Sequence, residues 1–323
     1  MDWSPSELQQ EIAALAKQIL RGAPAPWAAL AQSGLLELDE LPDICTLIEQ
    51  VGRIGGGVPV LETLLLGGPA RALDAELAAD AVLTGALLSP GSSDPRRSPT
   101  TIESGRCTTM RSNVPFAGSA RHMVFAASDG LYAVSRDHYT VQEQQRTDGS
   151  PVGRVTLEDA PVHRLGGLEA VDRWASRAEL GVVALQLGLA REALIMTAKY
   201  TSTREQFGRP IATFQAVSQR AADAWIAVQA MELTLCQASW RVEAGLPAER
   251  EIAIARYHGC EGAHQVLAAA QHLHGGMGFD KDYPLHRYFL CAKAWEFSAG
   301  SASAQLERLG AHLAATVEEE NVF

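Results

Sequence analysis

Residues 204–215 read REQFGRPIATFQ and lie between two long helical patterns. Arg204, Phe207, Gly208 and Gln215 are an unusual set for a plain interhelical turn. A guanidinium group suits a phosphate or pyrophosphate, and a phenylalanine beside it can cover a planar ring. On residue types alone the simpler alternative is favoured, a polar loop fixed by one buried phenylalanine. The rest of the chain has to decide between the two.

Long helices are predicted on both sides of this stretch. Apolar residues step by three and four over 168–200 and again over 214–235, so each pattern marks one buried helix face. Gly245 then occupies a position typical of a helix C-terminus. A third helix is predicted over about 248–273, and a fourth from about Leu285. Long helices with short connections predict an antiparallel four-helix bundle.

The N-terminal part of the chain is also predicted to be helical. Ser4 and Glu7 have the spacing of a capping box, and Pro5 suits the first helical position, ahead of the helical sequence SELQQEIAALAKQIL. Another helix is predicted over about 38–53, where the glycines of GRIGGGVP end it. A further helix is predicted to begin within 61–66.

The middle of the chain reads as short strands between turns. The Ser- and Pro-rich segment 89–105 predicts a loop. Residues 122–136, HMVFAASDGLYAVSR, predict a hairpin with a type I′ turn at Asp129 and Gly130. Residues 153–167 predict another strand that ends at glycines. Several short strands of this kind predict a small β-barrel or sandwich.

The expected fold class is therefore α+β with three domains. They are a shortened N-terminal α-helical domain over 1–78, a β-domain over 79–166 and a C-terminal four-helix bundle over 167–323. A chain of 323 residues is long enough for this organisation.

Composition argues against several classes of partner. A formal net charge of -11 gives a surface that repels nucleic-acid phosphates and anionic lipids, so neither is expected as a partner. Five scattered cysteines without a CxxC pair indicate reduced thiols and a cytoplasmic protein. The first residues, MDWSPSELQQE, show no signal-peptide pattern, and no apolar run is expected to span a bilayer.

A second motif, HLHGGMGFDKDYPLHRYF, occupies residues 272–289. Gly275 and Gly276 end a predicted helix and permit a ligand to approach the backbone closely. Cys260 and His264 are spaced i, i+4, which raises the alternative of a metal site. A compact set of three or four ligands is lacking, so no metal is expected.

These two motifs resemble the acyl-CoA dehydrogenase family. The first is similar to that family's R-x-x-F-G-x-x-I-x-x-x-Q segment, and the second to its Q-x-H-G-G-x-G-F-x-x-x-Y-P segment. The match is specific over about 168–310. It is weaker earlier, where GRVTLEDAPV resembles the last β-domain strand and EQVGRIGGGVPV a fragment of the helical domain. The resemblance implies the same three-part fold.

The resemblance also implies FAD, with the ADP half of each flavin held by a neighbouring subunit. His272 stands where the family usually has Gln and can still donate a hydrogen bond. Gly275 and Gly276 would pass close to the pyrophosphate. The cofactor contacts implied in full are Arg204, Gln206, Phe207, Gly208, Gln215, His272, Gly275, Gly276, Gly300 and Ser301. The last two belong to a run of small residues in EFSAGSASAQ, which would line the flavin and the acyl thioester.

The family's reaction needs a carboxylate base that removes an α-proton of the acyl-CoA. The two usual positions of that glutamate correspond here to Ala299 and Ala178. Glu179 is a weak substitute, and Glu296 lies within a predicted helix. Two further segments depart from the family: ALLSPG at 86–91, with Leu88 and Ser89 in place of Thr and Glu, and VPFAG at 114–118 in place of the usual flavin cover.

This combination resembles the smaller, base-lacking subunit of heteromeric actinobacterial acyl-CoA dehydrogenases, several of which act on CoA thioesters of steroid side chains. It implies a flavoprotein oxidoreductase of β-oxidation and lipid or steroid catabolism that is active in a complex. A larger subunit would carry the glutamate, in an α2β2 heterotetramer, and the substrate would be an acyl-CoA. Two alternatives remain: a self-sufficient homo-oligomeric dehydrogenase with a relocated base, and a non-catalytic acyl-CoA- or flavin-binding protein.

Overall fold

The computed structural model describes residues 4–74, 77–87, 94 and 96–320. In chain order these residues form a helical part, two small β-sheets and a second, larger helical part. The predicted fold class is confirmed.

The N-terminal part is built on three α-helices. They are α1 (Glu7–Gly22), α2 (Pro26–Gln32) and α3 (Leu41–Gly52), followed by a π-helical turn (Glu62–Leu66) and a 3-10 segment (Gly68–Leu73). The predicted capping box is displaced by two residues, because Ser6 caps α1 together with Gln9. Ser6 Oγ accepts from the Gln9 N–H, and Gln9 Oε1 accepts from the Ser6 N–H, both at 3.1 Å. Because a capping box accepts glutamine as well as glutamate, the sequence pattern matches both Ser4 with Glu7 and Ser6 with Gln9.

The middle part is a sandwich of two sheets. The strands are β1 (Thr84–Ala86), β2 (Arg106–Pro115), β3 (His122–Ala127), β4 (Gly130–Ser135), β5 (Thr140–Gln145), β6 (Pro151–Pro161) and β7 (His163–Gly166). One sheet has the order β1-β3-β4-β7 and the other β2-β6-β5. A common apolar cluster takes Phe125 and Val134 from the first sheet and Val155 and Leu157 from the second, so the sheets pack face to face.

The predicted hairpin is confirmed, but its turn type is wrong. Ala127 pairs with Gly130, so Ser128 and Asp129 form the turn. Neither of them has a positive φ, and a type I′ turn requires two. Gly130 instead serves close packing between strands, because a Cβ there would lie 2.2 Å from the carbonyl oxygen of Gly166 in β7.

The C-terminal part holds the longest helices. The helices are α4 (Leu168–Thr203), α5 (Gln215–Glu243), α6 (Glu249–His274), α7 (Leu285–Ala299) and α8 (Ala302–Glu320). Between α4 and α5 lies a short hairpin of β8 (Glu205–Gln206) and β9 (Arg209–Pro210). Gly245 follows α5 with φ 66°, as predicted for a C-terminal glycine. The four predicted helices are present, and α8 continues the chain beyond them.

Helix α4 is an exception to the prediction that no apolar run is long enough to span a bilayer. By length and hydropathy alone it could cross a membrane, since an 18-residue window reaches a mean hydropathy of 1.5. However, 72% of that window is buried inside the fold. The helix therefore has the environment of a core helix, packed against α3, α5 and α6.

Candidate functional site

The antiparallel bundle brings the two sequence motifs to one end. Helix α4 ends there, α5 begins there and α6 ends there. The ring of Tyr200, near the end of α4, stacks on His274, the last residue of α6, with centroids 4.4 Å apart. Arg220 in the second turn of α5 contacts Nδ1 of His272. The segments 204–215 and 272–276 are therefore neighbours, and we call their shared surface the bundle end.

The hairpin β8–β9 projects from the bundle end. Its turn residues, Phe207 and Gly208, have φ values of 55° and 75°, as a type I′ turn requires. The Phe207 side chain is 92% exposed and contacts Phe214 edge-on at 6.1 Å. The alternative of a loop fixed by a buried phenylalanine is therefore wrong at Phe207. Positive φ at a residue other than glycine costs about 1–3 kcal/mol and is common at functional sites.

The polar residues of the bundle end leave donors open to an external ligand. Arg204 is exposed, and its guanidinium has no hydrogen bond or ion pair within the described ranges. Gln206 Nε2 donates to the neighbouring Glu205 carbonyl at 2.9 Å. Gln215 is the first residue of α5, which has no side-chain cap. Arginine and free helix N–H groups are the donors that a phosphate needs.

A buried histidine supports the glycine segment. The His274 Nδ1–H donates to the carbonyl of Ala270 at 2.8 Å, so Nε2 accepts from the Tyr283 hydroxyl at 3.1 Å. Burial lowers the pKa of His274. Gly275 then has φ 58°, and a Cβ at Gly275 or Gly276 would meet nothing within 4 Å. The backbone here is open to close approach from outside.

The residues Gly300 and Ser301 lie elsewhere. They join α7 to α8, and α7 has 15 residues, which separates them from the bundle end by roughly 22 Å. Buried Arg256 donates through Nη2 to the carbonyls of Ala299 and Gly300 at 2.7 and 3.0 Å. The small residues thus make a tight helix junction over an arginine, and the structure does not bring them to the bundle end.

Ala178 and Ala299, the two positions at which the resemblance implies the family's glutamate, have no solvent exposure. Glu179 is equally buried. Its Oε2 accepts from Arg96 Nη1 at 2.9 Å, and its Oε1 from Arg308 Nη1 at 2.5 Å. Burial raises the pKa of Glu179, but the two arginines outweigh it and the net pKa is lowered. Glu179 is ionised, and both of its oxygens are occupied.

Glu296 and Cys260, one of the two residues of the metal alternative, also have local partners. Glu296 lies inside α7, and its Oε2 accepts from Lys293 Nζ at 2.7 Å. Cys260 Sγ donates to the Gly300 carbonyl at 3.5 Å. In the part of the chain that the structure describes, no three His, Cys, Asp or Glu side chains group as metal ligands.

A small cavity lies between the β-sandwich and the end of α7. Its volume is about 190 Å³, below the 300–1,000 Å³ usual for ligand sites. Asn113 Nδ2 donates to Ser298 Oγ across it at 2.6 Å. Pro115 of the VPFAG segment lines it, as do Trp295 and Phe297. Leu88 and Ser89 of ALLSPG lie outside the described residues.

Comparison with known proteins identifies the family. Residues 166–314 match the model of the acyl-CoA dehydrogenase C-terminal domain. Acyl-CoA dehydrogenase FadE27 of Mycobacterium tuberculosis is 32% identical over an alignment that covers 98% of this chain and 100% of FadE27. This chain belongs to the acyl-CoA dehydrogenase family.

Solved structures extend the match to a particular type of acyl-CoA dehydrogenase. A chain of the ChsE4-ChsE5 complex from Mycobacterium tuberculosis superposes with a TM-score of 0.88 at 31% identity, covering 97% of this chain and 99% of that one. A chain of the Tcur3481-Tcur3483 steroid ACAD gives 0.87 at 32% identity, with the same coverage. The predicted resemblance to the heteromeric actinobacterial dehydrogenases is confirmed.

Sequence reasoning missed several supporting residues. Arg220 contacts His272, and Tyr200 stacks on His274, but each pair joins two helices that are distant in sequence. Arg96 and Arg308 reach Glu179 from 83 and 129 residues away. A sequence pattern carries no signal for such contacts.

Proposed function

We propose that this chain is the FAD-contacting, base-lacking subunit of a heteromeric acyl-CoA dehydrogenase. The main support for the proposal is that neither implied base position has a side chain that can accept a proton. Ala178 and Ala299 offer no proton acceptor, and Glu179 is held by two arginines. The open bundle end, by contrast, retains donors for a cofactor bound by a partner.

The residues of the bundle end fit the ADP half of FAD. Arg204 would bind the pyrophosphate, because its guanidinium is exposed and unpaired among the described residues. Phe207 would cover a planar ring, since nine-tenths of its side chain is exposed on a fixed turn. The open backbone at Gly275 and Gly276 would allow a phosphate to approach. When bound, FAD supplies the hydride acceptor of the dehydrogenation.

The partner supplies what this chain lacks. In the proposed α2β2 complex, a larger subunit carries the glutamate that takes the α-proton, and this chain orients that subunit's cofactor. The substrate is an acyl-CoA, and the names of the similar structures favour a steroid side-chain thioester. The complex would act in β-oxidation in the cytoplasm.

Co-expression with a larger acyl-CoA dehydrogenase encoded beside this chain tests the proposal. Acyl-CoA oxidation is measured with an artificial electron acceptor for each subunit alone and for the complex. We expect activity in the complex only, and its loss by about 10²–10⁴-fold when the partner's glutamate is replaced by glutamine. Ordinary turnover by this chain alone would favour a self-sufficient enzyme instead.

A further inference from the structure

A second, larger cleft lies between the N-terminal part and α4. It has a volume of about 820 Å³, within the usual range for small-molecule sites. Residues 36–39 and 63–73 form one side of it, and α4 and β7 form the other. It is lined by none of the residues assigned above to FAD or to the base.

The floor of this cleft is apolar. Leu36, Leu65 and Leu131 reach it from three separate segments, and Trp174 of α4 lies beside them. Each of these four side chains is at most 3% exposed. The floor belongs to the main core, so it has a fixed shape. The accessible apolar surface beside it includes Leu73, which is 38% exposed and onto which an apolar body could pack.

The rim of the cleft is cationic. Four arginines line it, Arg71, Arg164, Arg173 and Arg177, against two carboxylates, Glu37 and Asp39. The lining therefore has an excess of two positive charges in a chain whose net charge is -11. A local field opposite in sign to the whole molecule attracts anions to this place.

Two of these arginines have unused donors. Nη2 of Arg71 is buried without a hydrogen-bond partner. Arg173 is exposed, and it makes no ion pair among the residues that the structure describes. Arg177, in comparison, is paired with Glu243 at 3.1 Å, and Arg164 donates to the Asp129 carbonyl at 3.1 Å. A buried donor without an acceptor is unfavourable unless a ligand supplies one.

We propose that this cleft binds an anionic amphipath, with an apolar body on the leucine and tryptophan floor and a carboxylate or phosphate head at Arg71 and Arg173. Guanidinium groups bind both heads through charge-assisted hydrogen bonds. The inference does not depend on the proposed function, because the cleft lies apart from the bundle end and from the base positions.

Calorimetric titration of this chain, both alone and in the complex with its partner subunit, tests the site. The probes share a ten-carbon tail: decanoate, decyl phosphate and neutral decanol, with acetate as a head without a tail. We expect at least one of the two anions to bind, decanol to bind about tenfold more weakly and acetate not at all, since one charge-assisted contact is worth about this factor. The stronger anion identifies the head group.

Variants localise the binding. The double variant Arg71→Gln and Arg173→Gln is expected to bind the anionic probe only as weakly as it binds decanol. Leu73→Gln, at the cleft edge, is expected to weaken the binding of both the anionic probe and decanol. Arg154→Gln, an exposed arginine on β6 outside the cleft, is the matched control and is expected to change nothing. Circular dichroism confirms that each variant is folded. Equal binding of decanol and the anions, unchanged binding in the double variant, or binding only when the partner is absent would overturn the proposal.

Discussion

At the scale of single residues, Glu179 is a buried carboxylate next to Ala178, one of the two positions at which the resemblance implies a base. It is fully buried, and its charge is balanced by Arg96, in the segment between β1 and β2, and by Arg308 on α8. A base must be free to accept a proton from the substrate. Glu179 instead ties three separate parts of the chain together.

Glu179→Gln is therefore expected to lower stability and leave turnover intact. Removing the buried negative charge leaves Arg308 without an ion pair among the described residues and Arg96 with only Asp94 and Asp172, and it should cost about 3 kcal/mol of unfolding free energy. Urea denaturation measures the cost, and acyl-CoA oxidation by the complex measures activity. Glu296→Gln, which removes a partly exposed pair with Lys293, is the control. A fall in turnover of 10²-fold or more in folded Glu179→Gln, the order expected for a general base, would restore Glu179 as the base.

A second prediction at the residue scale concerns the effect of Glu62 on the pH dependence of stability. Burial raises its pKa from 4.5 to about 7. The folded state then holds a proton that the unfolded state has lost, so this group makes stability fall as pH rises from 4.5 to 7. Glu62→Gln does not titrate. We expect the free energy of unfolding of the variant, relative to that of the wild type, to increase by about 3 kcal/mol between pH 4.5 and pH 8.

Denaturation curves at several pH values check this expectation. Glu158→Gln, an exposed glutamate on β6, provides the reference and should show no such difference. A variant whose stability relative to the wild type does not depend on pH would show that Glu62 is ionised in the fold.

At the scale of elements, the outcome of prediction depended on how local each signal was. The long helices were predictable because the apolar spacing over 168–200 and 214–235 repeats within each helix. The turn at Asp129 was mispredicted because Gly130 is fixed by contact with β7, which a local pattern does not encode. The motif residues of the bundle end were recognisable in sequence, but the contact of Arg220 with His272 depended on helix packing.

The prediction at the scale of elements concerns Arg204, which directly precedes the hairpin β8–β9. Arg204→Ala removes an exposed guanidinium that makes no hydrogen bond or ion pair within the described chain, so the bundle should remain folded. We expect lower FAD content in the complex, because the pyrophosphate loses a charge-assisted partner. Flavin absorbance per protomer measures the content, and Arg121→Ala, an exposed arginine beside β3, is the control. Unchanged flavin content would refute the role of Arg204.

At the scale of the whole molecule, the exposed apolar residues indicate where another chain would bind. Trp225, Ile226 and Leu233 on α5 are each at least half exposed, and so are Phe207 at the bundle end and Phe279, three residues beyond it. Apolar surface of this kind marks protein interfaces. We expect an oligomer with an even number of subunits when the partner is present. Sedimentation showing a stable monomer under co-expression would contradict this.

Cofactor stoichiometry is the most discriminating whole-molecule prediction. The cavity of this chain between β2 and α7 has only about 190 Å³, and the hydrogen bond from Asn113 to Ser298 crosses it. Trp295 and Arg146 both line the cavity, and the Arg146 guanidinium lies over the Trp295 ring at 5.1 Å from its centroid. A flavin bound there would have to displace these groups, whereas at the bundle end the Phe207 side chain is exposed and the backbone at Gly275 and Gly276 is open. We therefore expect one FAD per heterodimer.

The measurement is flavin released on denaturation, divided by the subunit content of the purified complex. Arg204→Ala should lower this single equivalent. Asn113→Ala, which removes only the bond across the small cavity, should leave it unchanged, because no flavin depends on that cavity. Two FAD per heterodimer, or a loss of one equivalent in Asn113→Ala, would show that this chain holds a flavin of its own.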